Sequence, residues 1–316
     1  MKHNRIFGFF AVLLCLIILL ILPLSAFAAG SDGNGSLGVS FLIDDEYVSD
    51  VTFNVYRVAD EYYQPVGAYT AYSVTLEDLS PDEFGPAATA LAAYTARDGI
   101  PADFSCVTNE YGYAQFDGLQ NGFYLVIGEM FIIGNTVYNP LPFLIAMPSY
   151  DTDGKALYDI TASPKYDMWQ TDKKLERNVK KVWIEGNFEN IRPTEIIAQL
   201  LQDGSIADEV VLNEANDWSY SWNDLDPNSV WLVIEKVVPD DYTVTVEQQG
   251  TIFTVTNAYM ITSGGHREPS DGDTPVAPPT LPNTGQLWWP VPILLFVGAL
   301  MLLIGAGLSR KSGNDA

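Results

Sequence analysis

The sequence predicts a mainly β protein with two antiparallel β-sandwich domains in tandem and an apolar segment at each end of the chain. Short runs of alternating apolar and polar residues, most of them bounded by Gly, Asn, Asp or Pro, are typical of sandwich strands. These runs are Leu37 to Ile43, Val51 to Val58, Gly122 to Val126, Pro142 to Met147, Val179 to Ile184, Val230 to Val238, Tyr242 to Val246 and Ile252 to Asn257. A polar stretch near residues 166–176 separates them, so we predict domains at 36–166 and 177–260.

One segment of the first domain has a helical pattern. The sequence Ser-Pro-Asp-Glu at 80–83 has the form of a capping box with proline at the first helical position. The alanine-rich run Ala87 to Ala96 follows and ends at Gly99, a typical helix C-terminus. Gly85-Pro86 offers a place where the helix could break. We therefore expect a helical insertion in the first domain.

The N-terminus has the layout of a secretory signal peptide over residues 1–28. Lys2 and Arg5 precede an apolar run from Ile6 to Leu24, and Ala26-Phe27-Ala28 follows as a small-residue cleavage site. Cleavage is expected after Ala28. The alternative is an uncleaved membrane anchor, which the A-x-A site directly after the apolar run disfavours.

The C-terminus contains a second apolar segment, Leu287 to Leu308, which is long enough to cross a bilayer as a helix. The tail at 309–316 carries Arg310 and Lys311, and basic residues hold such an end in the cytoplasm. Residues 261–280, rich in Gly, Pro, Asp and Ser, are interpreted as an extended spacer. These features alone predict a type I membrane protein.

The pentapeptide between spacer and apolar segment changes that interpretation. It consists of Leu281, Pro282, Asn283, Thr284 and Gly285. Together with the apolar segment and the basic tail it resembles the sorting signal that sortases read in Gram-positive bacteria. The resemblance implies cleavage between Thr284 and Gly285 and transfer of the Thr284 carbonyl to an amine of a peptidoglycan peptide. The protein would then be secreted and anchored to the cell wall of a Gram-positive bacterium, from a precursor that spans the membrane at its C-terminus.

Composition excludes several classes of function. Removing the two ends takes away four of the 16 basic residues and one of the 40 acidic residues, which leaves 12 against 39. Such a charge repels nucleic acid, so no nucleic-acid partner is expected. Neither His3 nor His266 lies in a predicted folded segment, so we expect no metal site and no cofactor. Cys106 has no partner once Cys15 leaves with the signal peptide, so no intrachain disulfide can form.

Strand alternation places one polar residue on the apolar face of each of three predicted strands in the second domain. These faces are Val179, Lys181 and Trp183; Trp231, Val233 and Glu235; and Phe253, Val255 and Asn257. Burial lowers the pKa of a lysine and raises that of a carboxylic acid, so the two groups should be neutral or react. A neutral Lys181 amine is a nucleophile, and a protonated Glu235 can act as the catalytic acid that polarises the Asn257 amide.

The product of that reaction would be an amide (isopeptide) cross-link between Lys181 and Asn257, with release of ammonia. The alternative is that Lys181 is a surface lysine with an ordinary salt bridge to Glu235. Lys180 is the rival lysine, but alternation points it away from Trp183.

The second domain resembles the Cna protein B-type domain. The resemblance rests on VKKVW at 179–183, RPTEI at 192–196, LLQDG at 200–204, WSYSW at 218–222, WLVIEKVVPDDY at 231–242 and FTVTN at 253–257. It implies an immunoglobulin-like sandwich and an autocatalytic isopeptide bond, with the family's lysine, glutamate and asparagine at Lys181, Glu235 and Asn257. The family's PxGY turn is Pro-Asp-Asp-Tyr at 239–242 in this chain.

The first domain resembles the N-terminal domain of Gram-positive pilins. The resemblance rests on VTFNVYRVAD at 51–60, NEYGYAQFDGLQNGFYLVIGE at 109–129, PFLIAMP at 142–148 and LYDITASPK at 157–165. It implies that Lys165, after Pro164, is the acceptor for the sorted threonine of the next subunit. Ser163 stands where many pilins have Tyr, and the alternative is a strand-end lysine in solvent.

The early strands of the first domain contain no lysine, and the guanidinium of Arg57 stays protonated. A cross-link of the kind predicted for the second domain is therefore unavailable there.

These features favour a structural protein over an enzyme. The leading hypothesis is a sortase-anchored pilin subunit, shaft or basal, whose partners are sortase, a peptidoglycan peptide and, for a shaft role, other pilin subunits. The alternative is a monomeric wall-anchored adhesin that binds a host or matrix ligand. A secreted enzyme is disfavoured, since no catalytic constellation is present beyond the self-modification.

Overall fold

The computed structural model describes residues 34–77, 79–80, 82–185 and 192–260. Five predicted features lie outside the described residues: the signal peptide 1–28, the spacer 261–280, the sorting motif 281–285, the apolar segment 287–308 and the tail 309–316. Within the described ranges, no helix has both the length and the apolar character that a bilayer crossing needs.

The first part of the chain forms a sandwich of two main sheets, accompanied by a third sheet. Its strands are β1 (Gly35–Ser40), β2 (Leu42–Ile43), β3 (Glu46–Tyr47), β4 (Thr52–Ala59), β5 (Phe104–Val107), β6 (Tyr113–Leu119), β7 (Gly122–Gly128), β8 (Phe131–Ile133), β9 (Thr136–Pro140), β10 (Phe143–Met147), β11 (Ser149–Tyr150), β12 (Ala156–Leu157), β13 (Asp159–Ala162) and β14 (Tyr166–Gln170). The main sheets have the orders β13-β1-β6 and β10-β7-β4-β5, and the third is β14-β9-β8. We call β1 to β14 the first sandwich.

The second part forms a smaller sandwich. Its strands are β15 (Leu175–Ile184), β16 (Glu195–Gln202), β17 (Ser205–Asn213), β18 (Ser219–Leu225), β19 (Trp231–Glu235), β20 (Tyr242–Gln249) and β21 (Ile252–Tyr259). One sheet has the order β18-β15-β21-β20 and the other β17-β16-β19. We call β15 to β21 the second sandwich. The predicted fold class, mainly β with two sandwiches, is confirmed.

Each sandwich contains a parallel pair that the purely antiparallel prediction did not include. β1 pairs with β13 and β15 pairs with β21, so in each sandwich an early strand lies beside a late one. Alternation within a strand predicts which face is buried but not whether the neighbouring strand is parallel or antiparallel. Side chains alternate with a period of two in both kinds of sheet.

Residues 166–176, expected to be a polar connection, contain strand β14 and the start of β15 at Leu175. β14 pairs with β9 at the edge of the third sheet, and Tyr166 and Trp169 are half-buried while Met168 and Gln170 are exposed. An edge strand that buries little apolar surface leaves a weak alternation, which explains the miss.

The connection between β4 and β5 contains a short 3₁₀ turn (Gly67–Ala71) and the helix α1 (Phe84–Asp98). α1 begins later than the predicted capping box and runs unbroken through Gly85-Pro86. The Glu83 carboxylate accepts a hydrogen bond from the Ser80 backbone N–H (2.8 Å), so this Ser–Glu pair closes a turn before the helix. Gly99 ends the helix with φ of 61°, a left-handed conformation that glycine adopts without strain.

The helix α1 is a layer shared by the two sandwiches. One apolar cluster joins Val58 and Leu125 of the first sandwich, Leu91 of the helix, and Val233 and Val246 of the second sandwich. The core between the two main sheets of the first sandwich is a separate cluster. Both faces of the sheet β10-β7-β4-β5 are therefore covered, one by its partner sheet and one by α1.

Candidate functional site

Strand β15 turns one of two adjacent lysines into the interior. Lys181 is buried with Val179, while Lys180 between them is exposed. The strand lies in the middle of its sheet, paired with β18 on one side and β21 on the other. The lysine therefore projects from a fully paired strand into the space between the sheets.

The other two predicted residues meet Lys181 from two directions. Asn257 lies on β21, where Val255 is the partner of Lys181, so Asn257 is two positions further along the neighbouring strand and on the same face. Glu235 is the last residue of β19 in the facing sheet. The side chains of Lys181 and Glu235 are 0 % exposed, and Asn257 as a whole is 0 % exposed.

The distances between these groups are short. Lys181 Nζ lies 3.3 Å from Glu235 Oε2 and donates a long hydrogen bond to the Val255 carbonyl at 3.5 Å. The same Nζ lies 4.4 Å from the centre of the Trp183 ring. The amine is thus held between a carboxyl group, a backbone carbonyl and an indole, and its side chain has no surface exposed to water.

Burial shifts both titratable groups toward their neutral forms. Desolvation lowers the pKa of Lys181 to about 8, although the nearby Glu235 carboxylate opposes that change. Desolvation also raises the pKa of Glu235, against the opposing effects of Lys181 and Asn257. A neutral amine beside a protonated carboxyl group has the protonation states that acyl transfer to lysine requires.

Buried polar atoms of this site lack ordinary partners. Within the described part of the chain, both carboxyl oxygens of Glu235 and both amide atoms of Asn257 have no hydrogen bond of good geometry. A buried group left without a partner costs roughly 1–3 kcal/mol. A non-covalent triad is therefore an expensive way to fill this space, and a covalent bond would remove part of the cost.

Two further buried charged residues of the second sandwich were missed from the sequence. Arg177 and Glu185 lie on β15 and directly after it, and both are buried. The Tyr242 hydroxyl donates to Glu185 at 2.7 Å, and Arg192 Nε lies 3.1 Å from the same carboxylate. The alternation that singled out Lys181 also includes both positions, so extending it along the strand would have found them.

The candidate acceptor of the first sandwich is in a different environment. Lys165 follows β13 and is exposed, and its backbone carbonyl accepts a hydrogen bond from the Leu141 N–H at 2.8 Å. Lys155, the other lysine of this sandwich, is also exposed. The backbone at Lys165 is thus held while its side chain faces solvent.

Other sequence candidates do not form a site. Cys106 on β5 is half-buried and unbonded to any other cysteine in the described residues. Across residues 34–260, as far as they are described, no group of His, Cys, Asp and Glu could hold a metal ion. The five residues of the sorting motif lie outside the described part, so its geometry stays a prediction.

Comparison with protein families matches both parts of the chain. Residues 25–167 match the model of the Gram-positive pilin subunit D1, N-terminal domain. Residues 177–258 match the model of the Cna protein B-type domain. A search of the curated proteins gave no match.

Solved structures of surface proteins are similar to the chain at low identity. A single B repeat unit of the collagen-binding surface protein of Staphylococcus aureus is 18 % identical, covering 72 % of this chain and 98 % of that one, with a TM-score of 0.27. The major pilin SpaD of Corynebacterium diphtheriae is 13 % identical, with coverages of 72 % and 98 % and a TM-score of 0.27. The SpaE basal pilin of Lactobacillus rhamnosus GG is 13 % identical, with coverages of 69 % and 85 % and a TM-score of 0.31.

The chain joins a Gram-positive pilin D1-type N-terminal domain to a Cna protein B-type domain, the domain composition of a pilin-type surface protein.

Proposed function

We propose that this protein is a sortase-anchored pilin subunit whose second sandwich is closed by an autocatalytic isopeptide bond between Lys181 and Asn257. The observation that carries the proposal is the burial of a lysine, a glutamate and an asparagine together, with Lys181 Nζ 3.3 Å from Glu235. An ordinary core would replace such a set with apolar residues at lower cost.

The reaction needs only the three side chains. The neutral amine of Lys181 attacks the side-chain carbonyl carbon of Asn257, while the protonated Glu235 donates a hydrogen bond to the amide and polarises it. The new C–N bond forms, the bond to the amide nitrogen breaks, and Glu235 relays a proton from the attacking amine to that nitrogen. Ammonia leaves, and Glu235 recovers its proton.

The position of the bond suits a load-bearing subunit. β15 and β21 are the first and last strands of the second sandwich and lie parallel to each other. A pull on the two ends of this sandwich would shear these strands apart. A bond between Lys181 and Asn257 would carry that load covalently, so the strands between the two residues would stay folded under tension.

The mass of the mature protein tests the internal bond. We expect a mass lower by one ammonia than the mass calculated from the sequence, and the full calculated mass in Glu235→Ala and Lys181→Ala. Lys180→Ala is the matched control, because that neighbouring lysine is exposed and should leave the bond intact. A wild-type chain with the full mass would refute the bond.

The same proposal assigns the Thr284 carbonyl to one of two amines, that of a peptidoglycan peptide or that of Lys165 in a neighbouring subunit. The exposure of Lys165 beside a held backbone supports the second assignment. Immunoblots of wall extracts should show a high-mass ladder that collapses in Lys165→Ala and persists in Lys155→Ala. A single band in all strains would favour the monomeric adhesin. Thr284→Ala should abolish both wall attachment and the ladder, whereas Lys165→Ala should abolish the ladder and leave wall attachment intact.

A further inference from the structure

The second sandwich has an open side at which both of its sheets end. β20 is the edge strand of one sheet and β19 is the edge strand of the other. Glu235, the last residue of β19, lies on that side. No further strand lies beside β19 or β20, so the space between the two sheets is open to water on this side unless another element covers it.

Helix α1 of the first sandwich covers this open side. It contacts both β19 and β20. The Tyr94 hydroxyl donates a hydrogen bond to the backbone carbonyl of Glu235 at 3.3 Å, and the Tyr94 side chain is buried. In the connection between the 3₁₀ turn and the helix, the Ser73 carbonyl accepts a hydrogen bond from the Val244 N–H of β20 at 2.8 Å. The insertion thus closes the gap between the sheets and also pairs with the edge of β20.

The C-terminal end of α1 fits closely against the same sandwich. Arg97 donates to the Gln199 side chain at 3.4 Å and to the Lys236 carbonyl, one residue after Glu235, at 3.5 Å. The turn at Gly204 approaches the helix so closely that a Cβ there would lie 2.8 Å from the Ala96 carbonyl oxygen. The contact therefore depends on shape as well as on apolar area.

We propose that α1 is a lid on the cross-linking site, so that bond formation in the second sandwich depends on docking of the helix that the first sandwich carries. The inference rests on the proposed Lys181–Asn257 bond. With the lid in place, water is kept from Glu235 and Lys181, and both groups can react in their neutral forms. With the lid displaced, water stabilises the charged amine and carboxylate, and the reaction slows.

The consequence is an order of events. The second sandwich would complete its covalent bond only after the first sandwich has folded and its helix has docked. A subunit with a misfolded first sandwich would then lack the bond, although the three reacting residues are all supplied by the second.

The lid can be tested without the bond, by chemical labelling of Lys181. In an Asn257→Ala background no cross-link forms, and the Lys181 amine stays free for an acetylating N-hydroxysuccinimide ester. We expect Lys181 to label at least roughly tenfold more slowly than the exposed Lys180, because labelling requires local opening. Adding Tyr94→Ala should remove most of that protection. The control Thr95→Val removes the hydrogen bond between Thr95 and Tyr69, a contact of the helix within the first part of the chain, and should leave Lys181 protected.

The rate of bond formation provides the second test. After refolding of the mature chain, Tyr94→Ala should lose ammonia at least roughly tenfold more slowly than wild type. This factor is smaller than the full rate acceleration that a positioned general acid provides, because the substitution weakens the acid's environment without removing the acid. Tyr94→Phe, which keeps the ring that fills the gap, should be close to wild type. Gly204→Ala should also slow the reaction, because its methyl group collides with Ala96. Gly250→Ala is the matched control, since its φ of 59° is also left-handed but open space surrounds it.

The outcomes separate the two proposals. If wild type never loses ammonia, the bond is refuted, while the labelling contrast still decides the lid. If wild type forms the bond and Tyr94→Ala forms it at the same rate with Lys181 still protected, the lid is refuted. Should Tyr94→Ala fail to fold, the comparison of Gly204→Ala with Gly250→Ala gives the same decision.

Discussion

The two sandwiches share a helix but differ in what they bury. Among the described residues, the first sandwich and its helix bury only Thr95 and Thr108 as polar side chains, and both hydroxyls make hydrogen bonds. The second sandwich buries a larger polar set: Arg177, Lys181, Glu185, Gln199, Ser229, Glu235, Thr243 and Asn257. The smaller sandwich therefore carries the greater desolvation cost, and buried titratable groups of this kind are typical of functional sites.

The difference also concerns how each sandwich is held together. The first covers both faces of the sheet β10-β7-β4-β5 with apolar contacts, and its lysines are exposed. The second has a lysine beside an asparagine on its first and last strands. The first sandwich is stabilised by apolar packing on both faces of this sheet. We propose that the second is stabilised by a covalent bond as well as by its apolar core.

The largest expected effect follows from removal of the proposed bond. In Lys181→Met the second sandwich should lose on the order of 4 kcal/mol of unfolding free energy, the size expected for a cross-link that closes a long loop. Denaturant unfolding measures the loss. Lys180→Met should change the free energy by less than about 0.5 kcal/mol, because it is a surface substitution. Equal losses of unfolding free energy at the two lysines would contradict the proposed covalent bond in the second sandwich.

The next effect tests the shared layer. Leu91 is buried on α1 in the cluster that joins the two sandwiches, and Leu91→Ala should cost about 3 kcal/mol. Because the helix belongs to both cores, amide hydrogen exchange should accelerate in β7 and in β20 together. Faster exchange confined to the first sandwich would mean that the two sandwiches are energetically independent.

A third prediction concerns the pH dependence of bond formation. The pair Lys181 and Glu235 must hold one proton between them, so the rate should be highest between the raised pKa of Glu235 and the pKa of Lys181, lowered to about 8. Below that window both groups are protonated and the amine is no nucleophile. Above about pH 8 the pair loses its last proton and Glu235 cannot polarise the amide. Mass spectra taken during refolding at several pH values would show the maximum, and a rate that rises steadily above pH 8 would contradict the account.

The smallest effect is expected at the candidate acceptor. Lys165→Ala should change the free energy of unfolding by less than about 0.5 kcal/mol, because the side chain is exposed. Its effect should appear only in the ladder of wall extracts. A loss of more than about 1 kcal/mol in denaturant unfolding would mean that this lysine has a structural role in the first sandwich.

The sequence predicted the sandwich architecture, the helix and the burial of Lys181, because period-two and period-3.6 patterns report burial directly. It did not predict β14, whose half-buried edge position weakens the alternation, or the parallel pairs, which depend on how distant strands meet. The packing of α1 on β19 and β20 could also not be predicted from hydrophobic periodicity. The alanine-rich helix is apolar on nearly all sides, which indicates that it is buried. The pattern does not show that the second sandwich is one of the surfaces that bury it.

The central claim is tested most directly by peptide mapping of the purified mature protein. Digestion and tandem mass spectrometry should recover one branched peptide in which Lys181 is joined to Asn257, lighter by one ammonia than the two separate peptides together. The branched peptide should be absent from Glu235→Ala. Recovery of both linear peptides from the wild-type protein, with Lys181 and Asn257 unmodified, would contradict the account.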